Sequence, residues 1–167
     1  DEEFAGGIVA ILETATIENS KNTGNVIGST NVGGIVAESK GTITQCRNDG
    51  QVSKVAGVIC KTVNLGGIVG KNSEAARLSN SKNYGNVNSE TDTLVNLGGI
   101  CGILYNNSIV ELCENNGAIS GSGKEIIPNE DTNTNCASCT SNNGGSASTD
   151  DFGQLNIGII YGKYQEI

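Results

Sequence analysis

The sequence predicts an all-β fold, a parallel β-helix (β-solenoid) wound right-handed through four to five coils as a single domain over residues 1–167. Three observations predict it. The block Val63-Asn64-Leu65-Gly66-Gly67-Ile68-Val69-Gly70 returns as Val95-Asn96-Leu97-Gly98-Gly99-Ile100-Cys101-Gly102 and, shortened, as Asn31-Val32-Gly33-Gly34-Ile35-Val36-Ala37. A half-copy, Gly6-Gly7-Ile8-Val9-Ala10, opens the chain, and a decayed copy, Leu155-Asn156-Ile157-Gly158-Ile159-Ile160-Tyr161-Gly162, lies near its end. A second motif alternates with the first: Ile17 to Val26, Ile43 to Val52, Leu78 to Val87 and Val110 to Ile119 each carry an apolar start, a Ser or Cys three residues on, an Asn-x-Gly bend and a closing Val or Ile. Internal periods of this length mark solenoids, propellers or arrays. No unit carries the 3.6-residue apolar spacing of a helix, and the units are too short and too poor in aromatics for four-stranded blades.

Each element of a unit has a physical role. In Asn-x-Gly the Asn amide closes an Asx-turn, and both residues tolerate positive φ. Leu65 and Ile68, three apart, face opposite ways in an unbroken strand, so a kink at Gly66-Gly67 is expected to turn both inward. Stacked units then give apolar columns that agree: Ile17, Ile43, Leu78, Val110; Val26, Val52, Val87, Ile119; Val32, Leu65, Leu97, Ile157; and Ile35, Ile68, Ile100, Ile160. Two further columns are pure asparagine, Asn22, Asn48, Asn83, Asn115 and Asn31, Asn64, Asn96, Asn156, and aligned amides bond along the axis as in stacked cross-β structures. The units expected are 5–12 (partial), 15–37, 41–70, 76–102 and 108–162, the last swollen by an insertion over 120–156 that projects from one edge.

Composition narrows the function classes. The 167 residues hold 24 Gly, one Pro, no Met, Trp or His, and 4% aromatics, so apolar volume comes from Ile, Val, Leu and Ala. A net charge of −8 without clustered Lys or Arg argues against nucleic acid. No apolar run reaches the length of a membrane span. Asp1, Glu2 and Glu3 ahead of the apolar Phe4 to Leu12 are the wrong sign for a signal peptide, so a mature or excised piece is expected. Six cysteines in such a chain point to an oxidising compartment and structural disulfides. The candidates are Cys46, Cys60, Cys101, Cys113, Cys136 and Cys139. Cys46 and Cys113 share a column with Ser81 between them. At about 9.6 Å they lie beyond the range a disulfide bridges, and the other connectivities stay open.

Constellations for chemistry are sparse. Cys136-Ala137-Ser138-Cys139 has redox or half-zinc spacing, but it sits in a polar insertion rather than at a helix start, so a loop-pinning disulfide is the better reading and no metal is expected. Glu130, Asp131, Asp150 and Asp151 are the residues from which a calcium site would be assembled, yet no EF-hand or nonapeptide pattern is present, and no cofactor is expected. A lyase or hydrolase on a β-helix sets paired acids in a groove with aromatics against the sugar, and no acid recurs here at a fixed column. Catalytic residues are therefore not assigned.

With the repeated Asn-x-Gly-x-Val and (Val/Leu)-Gly-Gly-Ile-Val-Gly in line, the chain resembles the GLUG-motif repeats of bacterial surface and secreted proteins, including regions flanking the catalytic part of some IgA-cleaving metalloproteases. The match is good over residues 5 to 119 and weak over 152 to 162. The resemblance implies an extracellular, secreted or cell-surface, non-catalytic β-solenoid with structural, adhesive or spacer duty. The partners expected are further repeats or copies stacked end to end into a fibre, and a host or surface glycan or protein. The alternative is a carbohydrate-active β-helix enzyme.

Overall fold

The computed structural model describes the chain except residues 1, 2, 74, 90–93, 106, 130–135, 143, 144, 159, 160, 166 and 167, and describes the backbone alone for 123–129, 136, 137, 145, 147–156, 161 and 163–165. Every described element is a strand, and every pairing is parallel. The first lap sets five positions: β1 (Phe4–Gly6), β2 (Val9–Leu12), β3 (Thr16–Glu18), β4 (Lys21–Asn22) and β5 (Val26–Gly28). Each later lap lays its strands on the same five positions, so β2, β3 and β4 each begin a five-stranded ladder. This is the parallel β-solenoid expected from the repeat.

Register follows the sequence columns. Val32, Leu65, Leu97 and Ile157 pair in succession, as do Ile17, Ile43, Leu78 and Val110, and Val26, Val52, Val87 and Ile119. Ile35, Ile68 and Ile100 form a continuous row with no exposure, tied by Ile35 N–H to Ile68 C=O and Ile68 N–H to Ile100 C=O, both 2.9 Å. Ile160, expected to extend this row, lies outside the described residues. The interior is two clusters: one gathers the Ile35 row with Leu78, Val110, Leu104 and three cysteines, and the other gathers the Leu65 column with Val52, Val87 and Ile119.

The described residues of the expected insertion over 120–156 stack on the ladders instead of projecting from one edge. Cys136–Ala137 stacks on the β3 ladder with Cys136 opposite Val110, Thr140–Ser141 stacks on the β4 ladder, and Gly145 pairs with Ile119. Residues 136–142 and Gly145 thus lie on Val110 to Asn116 and Ile119 as another copy, written in small polar residues that hide the apolar period. The single strand Gly145–Gly158 then crosses from the β5 ladder to the β1 ladder, where Gln154 to Gly158 pair with Leu94–Gly98 on one side and with residues 125–129 on the other. The β1 ladder therefore ends on an earlier stretch of chain containing Pro128. Proline lacks the N–H that a central strand needs, so the outer strand is where it fits.

The glycines work differently from the expectation of positive φ. Gly57 is the one described glycine in the left-handed region. Those of the Gly-Gly blocks and most of the bends are excluded-volume sites: a Cβ on Gly34 would lie 2.2 Å from the Gly67 oxygen and 2.4 Å from the Asn48 side-chain carbon, and one on Gly50 would lie 1.9 Å from the Gly24 oxygen. Positive φ instead falls on Asn19, Gln45, Asn80, Leu112 and Ser138. One of these recurs in every lap between the β3 and β4 positions.

Among the described residues, one buried polar side chain lacks support. Asn72 is fully buried, and neither its Oδ1 nor its Nδ2 has a hydrogen-bond partner. Its column neighbours are Ser39 and Leu104. An orphaned buried amide costs about 1–3 kcal/mol per group, so Asn72→Leu is expected to raise stability by about 1–3 kcal/mol in urea unfolding. Ile68→Ala in the central row is expected to cost about 3–4 kcal/mol. If Ile68→Ala shifts the urea midpoint no more than a surface substitution does, the row is not the core.

Candidate functional surface

The polar interior consumes its own hydrogen bonds. Asn22, Asn48, Asn83 and Asn115 stack in register, and each Nδ2 donates to the next Oδ1 at 2.9 Å. The same Nδ2 also donates to the carbonyl of the Gly two residues on, at 2.7 Å for Asn22, Asn48 and Asn83 and 2.9 Å for Asn115. Each Oδ1 accepts that glycine's N–H at 3.1–3.3 Å. This is the Asx-turn of the motif and the axial ladder in one group. The second column runs the other way: Asn64 Nδ2 donates to Asn31 Oδ1 and Asn96 Nδ2 to Asn64 Oδ1, both at 2.6 Å. Asn156 holds the next register position opposite Asn96. The two columns therefore serve structure, as the sequence indicates, and the second Gly of each Gly-Gly pair leaves the room the first column occupies.

A third column alternates Ser and Cys. Ser20, Ser81, Cys46 and Cys113 each donate to the carbonyl two residues earlier, at 2.9 Å for the two serines and 3.3 Å for the two thiols. The intervening residue is the one at positive φ, so the hydroxyl or thiol closes the left-handed corner. Cys46, Cys60, Cys101 and Cys113 are free thiols. That corrects the expectation of disulfides at these four positions: Cys46, Cys101 and Cys113 fill columns whose neighbours within laps 1–4 carry Ser or an apolar residue, and Cys60 lies in a connection outside every ladder. Burial pushes the Cys46 thiol up, raises Cys101 much further, and moves Cys113 up to about 12. Cys139 packs against the same core cluster as Cys113. Cys139 is itself disulfide-bonded, and not to any of these four; the Cys136 side chain lies outside the described residues.

The outer edge along the β4 ladder is a charged strip. Lys21 pairs with Asp49 and Lys82 with Glu114, both at 2.8 Å, and Arg47 pairs with Asp49 while its guanidinium lies 4.2 Å over the Tyr84 ring. Asn116 Nδ2 donates to Glu114 at 2.9 Å, and Asn142 Nδ2 donates to it at 3.1 Å. The Arg47 hydrogen bond holds the Asp49 carboxyl below its usual range, and the Lys82 hydrogen bond does the same for Glu114. Lys21–Asp49, Lys82–Glu114 and Asn142–Glu114 join adjacent laps, whereas Arg47–Asp49 and Asn116–Glu114 lie within one lap.

Two depressions open on other faces. One, of about 510 Å³, lies outside the β2 ladder and is lined by Glu38, Lys40, Lys71, Ser73 and Tyr105. Glu38 is nearly buried, takes Lys71 at 3.1 Å and accepts from Ser73 Oγ at 3.2 Å, and the Lys71 ammonium lies 5.6 Å from the Tyr105 ring. The other, of about 590 Å³, is lined by Glu3, Ser29, Thr30 and residues 58–62, with exposed Val58 and Ile59 on its wall. Each is lined by a single carboxylate. Among the described residues no group of three or more His, Cys, Asp or Glu is placed to hold a metal. Of the calcium candidates, Glu130 and Asp131 lie outside the described residues and Asp150 and Asp151 are described by backbone alone. Among the described residues no helix is long and apolar enough to cross a membrane.

Comparison of the chain with known family models, curated proteins and solved structures gave no match in any of the three. Sequence reasoning missed the β2-face depression, because Glu38, Lys71 and Tyr105 come from three laps and share no motif.

Three outcomes test this surface. Asn83→Ala removes one of the two acceptors of Asn48 Nδ2, one of the two donors to Asn115 Oδ1 and the side-chain partners of the Gly85 N–H and carbonyl, and is expected to cost about 3–5 kcal/mol, against less than about 0.5 kcal/mol for exposed Thr23→Ala. Leu112→Asn at φ 53° is expected to gain about 1 kcal/mol, since Asn tolerates the left-handed region and Leu does not. For pH, the Asp49 and Glu114 carboxyls lie below their ordinary values of 3.8 and 4.5. Their contribution is complete above about pH 4.5 and is lost as pH falls through the depressed folded values. A denaturation midpoint flat from pH 5 to 8 and falling below pH 4 is expected, with the fall reduced in Asp49→Asn/Glu114→Gln.

Proposed function

We propose that this chain is a non-catalytic, extracellular β-solenoid that serves as a structural and adhesive element. The observation that carries the reading is the interior ladder. The polar side chains repeated most faithfully, the two asparagine columns, are spent on one another and on the backbone, so the repeat encodes a rod rather than a site. The resemblance to GLUG repeats supports the extracellular assignment. The buried thiols of Cys46, Cys101 and Cys113 lend it no support, because burial accounts for them without oxidation.

Further repeats or other copies of the chain are the natural axial partners under this reading. β1 to β5 are each paired on one side, and the outermost amide of the first column, Asn22, receives no Nδ2 from an asparagine beyond it among the described residues. Stacking another lap there extends both the strand ladder and the amide ladder without new chemistry. Lateral adhesion to a host or surface glycan or protein falls to the outward side chains. Sedimentation velocity and negative-stain microscopy across protein concentration are expected to show rods that lengthen with concentration, and a glycan array is expected to show binding. A monomer at all concentrations with no glycan or protein bound overturns the reading.

The β2-face depression favours one second reading, a carbohydrate-active enzyme, because Tyr105 and Glu38 share a wall there. Acid–base glycosidic cleavage needs two carboxyl groups across the scissile bond, and one lines the depression. Reducing-end release from a polysaccharide panel, lost in Glu38→Gln, would replace the structural reading with this one; no release is expected.

A further inference from the structure

Strand register assembles the depression outside the β2 ladder from successive laps. Glu38 pairs with Lys71, Lys71 pairs with Ile103, and Tyr105 closes the strand Cys101–Tyr105 two residues further on. The Ser73 N–H donates to the Ser39 carbonyl at 2.8 Å, and the Tyr105 carbonyl accepts from the N–H and the Oγ of buried Ser108, so backbone holds both ends of the wall. Glu38 is the most buried of the lining residues, with 9% of its surface exposed. Lys71 at 3.1 Å and Ser73 Oγ at 3.2 Å both meet its Oε1, and its Oε2 takes no bond among the described residues. An ammonium carries three donors, and Lys71 gives one to Glu38 while lying 5.6 Å from the Tyr105 ring. A deep acceptor, spare donors and an aromatic wall therefore face one space.

Charge selects the ligand. An anion would meet the Glu38 carboxylate, and a cation would meet Lys40 and Lys71. Once Glu13, which holds Lys40 at 3.0 Å, is counted, two acids balance the two lysines. A neutral ligand with hydroxyls suits both signs, because one hydroxyl oxygen accepts from an ammonium and donates to a carboxylate. We propose that the β2-face depression is a binding subsite for a neutral pyranose: adjacent sugar hydroxyls donate to Glu38 Oε2 and accept from the Lys71 ammonium, and the apolar face of the sugar packs on Tyr105. The volume of about 510 Å³ falls within the range of about 300–1,000 Å³ for small-ligand sites. This assignment rests on the adhesive reading above and gives it a ligand class and a place. One carboxylate holds a sugar without cleaving it, since cleavage takes two, so binding without turnover follows.

The probes are the methyl glycosides of glucose, galactose, mannose and N-acetylglucosamine, titrated into the full chain and read by saturation-transfer NMR and tyrosine fluorescence. Methyl glucuronide and methyl glucosaminide serve as the charged counterparts. At least one neutral glycoside is expected to bind, and more tightly than either counterpart. Tyr105→Ala and Glu38→Gln are each expected to weaken it by about tenfold or more, and Tyr84→Ala, at the exposed tyrosine of the β4 edge, to leave it unchanged. Should Glu38→Gln lose its β circular dichroism, Tyr105→Ala carries the same readout. Binding that persists in Tyr105→Ala, or that is lost in Tyr84→Ala instead, overturns this site and leaves the adhesive reading standing. Tighter binding of a charged counterpart overturns the neutral-sugar assignment. No glycoside bound by the parent chain overturns the proposal, and rod growth with concentration then still supports the structural reading.

Discussion

The structure depends on one repeated contact: a side chain bonded to the same side chain one lap away. An asparagine amide has a donor and an acceptor on one planar group, so a column of asparagines satisfies itself along an axis of about 4.8 Å. The Asn22 to Asn115 column adds an intralap turn to this, with Oδ1 and Nδ2 clasping the following glycine. Buried amides of this kind are stable because every group is matched, and a partly matched column would be worse than an apolar one. Asn72, buried alone in a column of Ser and Leu, shows the contrast within the same molecule.

Glycine follows from that contact rather than from backbone conformation. The Asn48 amide presses against Gly34 and the Asn83 amide against Gly67, leaving no room for a Cβ. The two sequence motifs are thus the two walls of one cross-section: the Asn-x-Gly bend supplies the amide and the Gly-Gly block supplies the space. The left-handed corner is handled elsewhere, by non-glycine residues followed by a Ser or Cys that bonds back over the corner. Serine and cysteine interchange there because both donate to the same carbonyl. Free thiols consequently appear in a chain whose cysteine content alone suggests disulfides.

Outside the rod the sequence is unconstrained by stacking, and the surface shows it. Ion pairs such as Lys82–Glu114 join adjacent laps along the β4 edge, while Arg47 covers Tyr84. Exposed pairs of this kind contribute little to stability. They set the chemistry that a partner meets, and they vary from lap to lap where the interior does not.

Columns were legible in the sequence wherever large apolar or asparagine side chains recur at fixed offsets, as in Ile35, Ile68 and Ile100 or Asn48, Asn83 and Asn115. A stacked fold maps each sequence offset onto one spatial position, so alignment of the copies is alignment in space. The fifth β3–β4 lap was not legible, since Cys136, Ser141 and Gly145 replace the Val, Asn and Ile that identify a copy; Ser138 at positive φ and Cys139 after it were its remaining signals. Tertiary structure alone decided that Gln154 to Gly158 slips between Leu94–Gly98 and the Pro128 stretch, and that Glu38, Lys71 and Tyr105 share one depression. Those outcomes turn on which edges and outward side chains meet across laps. A linear repeat carries no record of that, because stacking constrains only the residues facing inward.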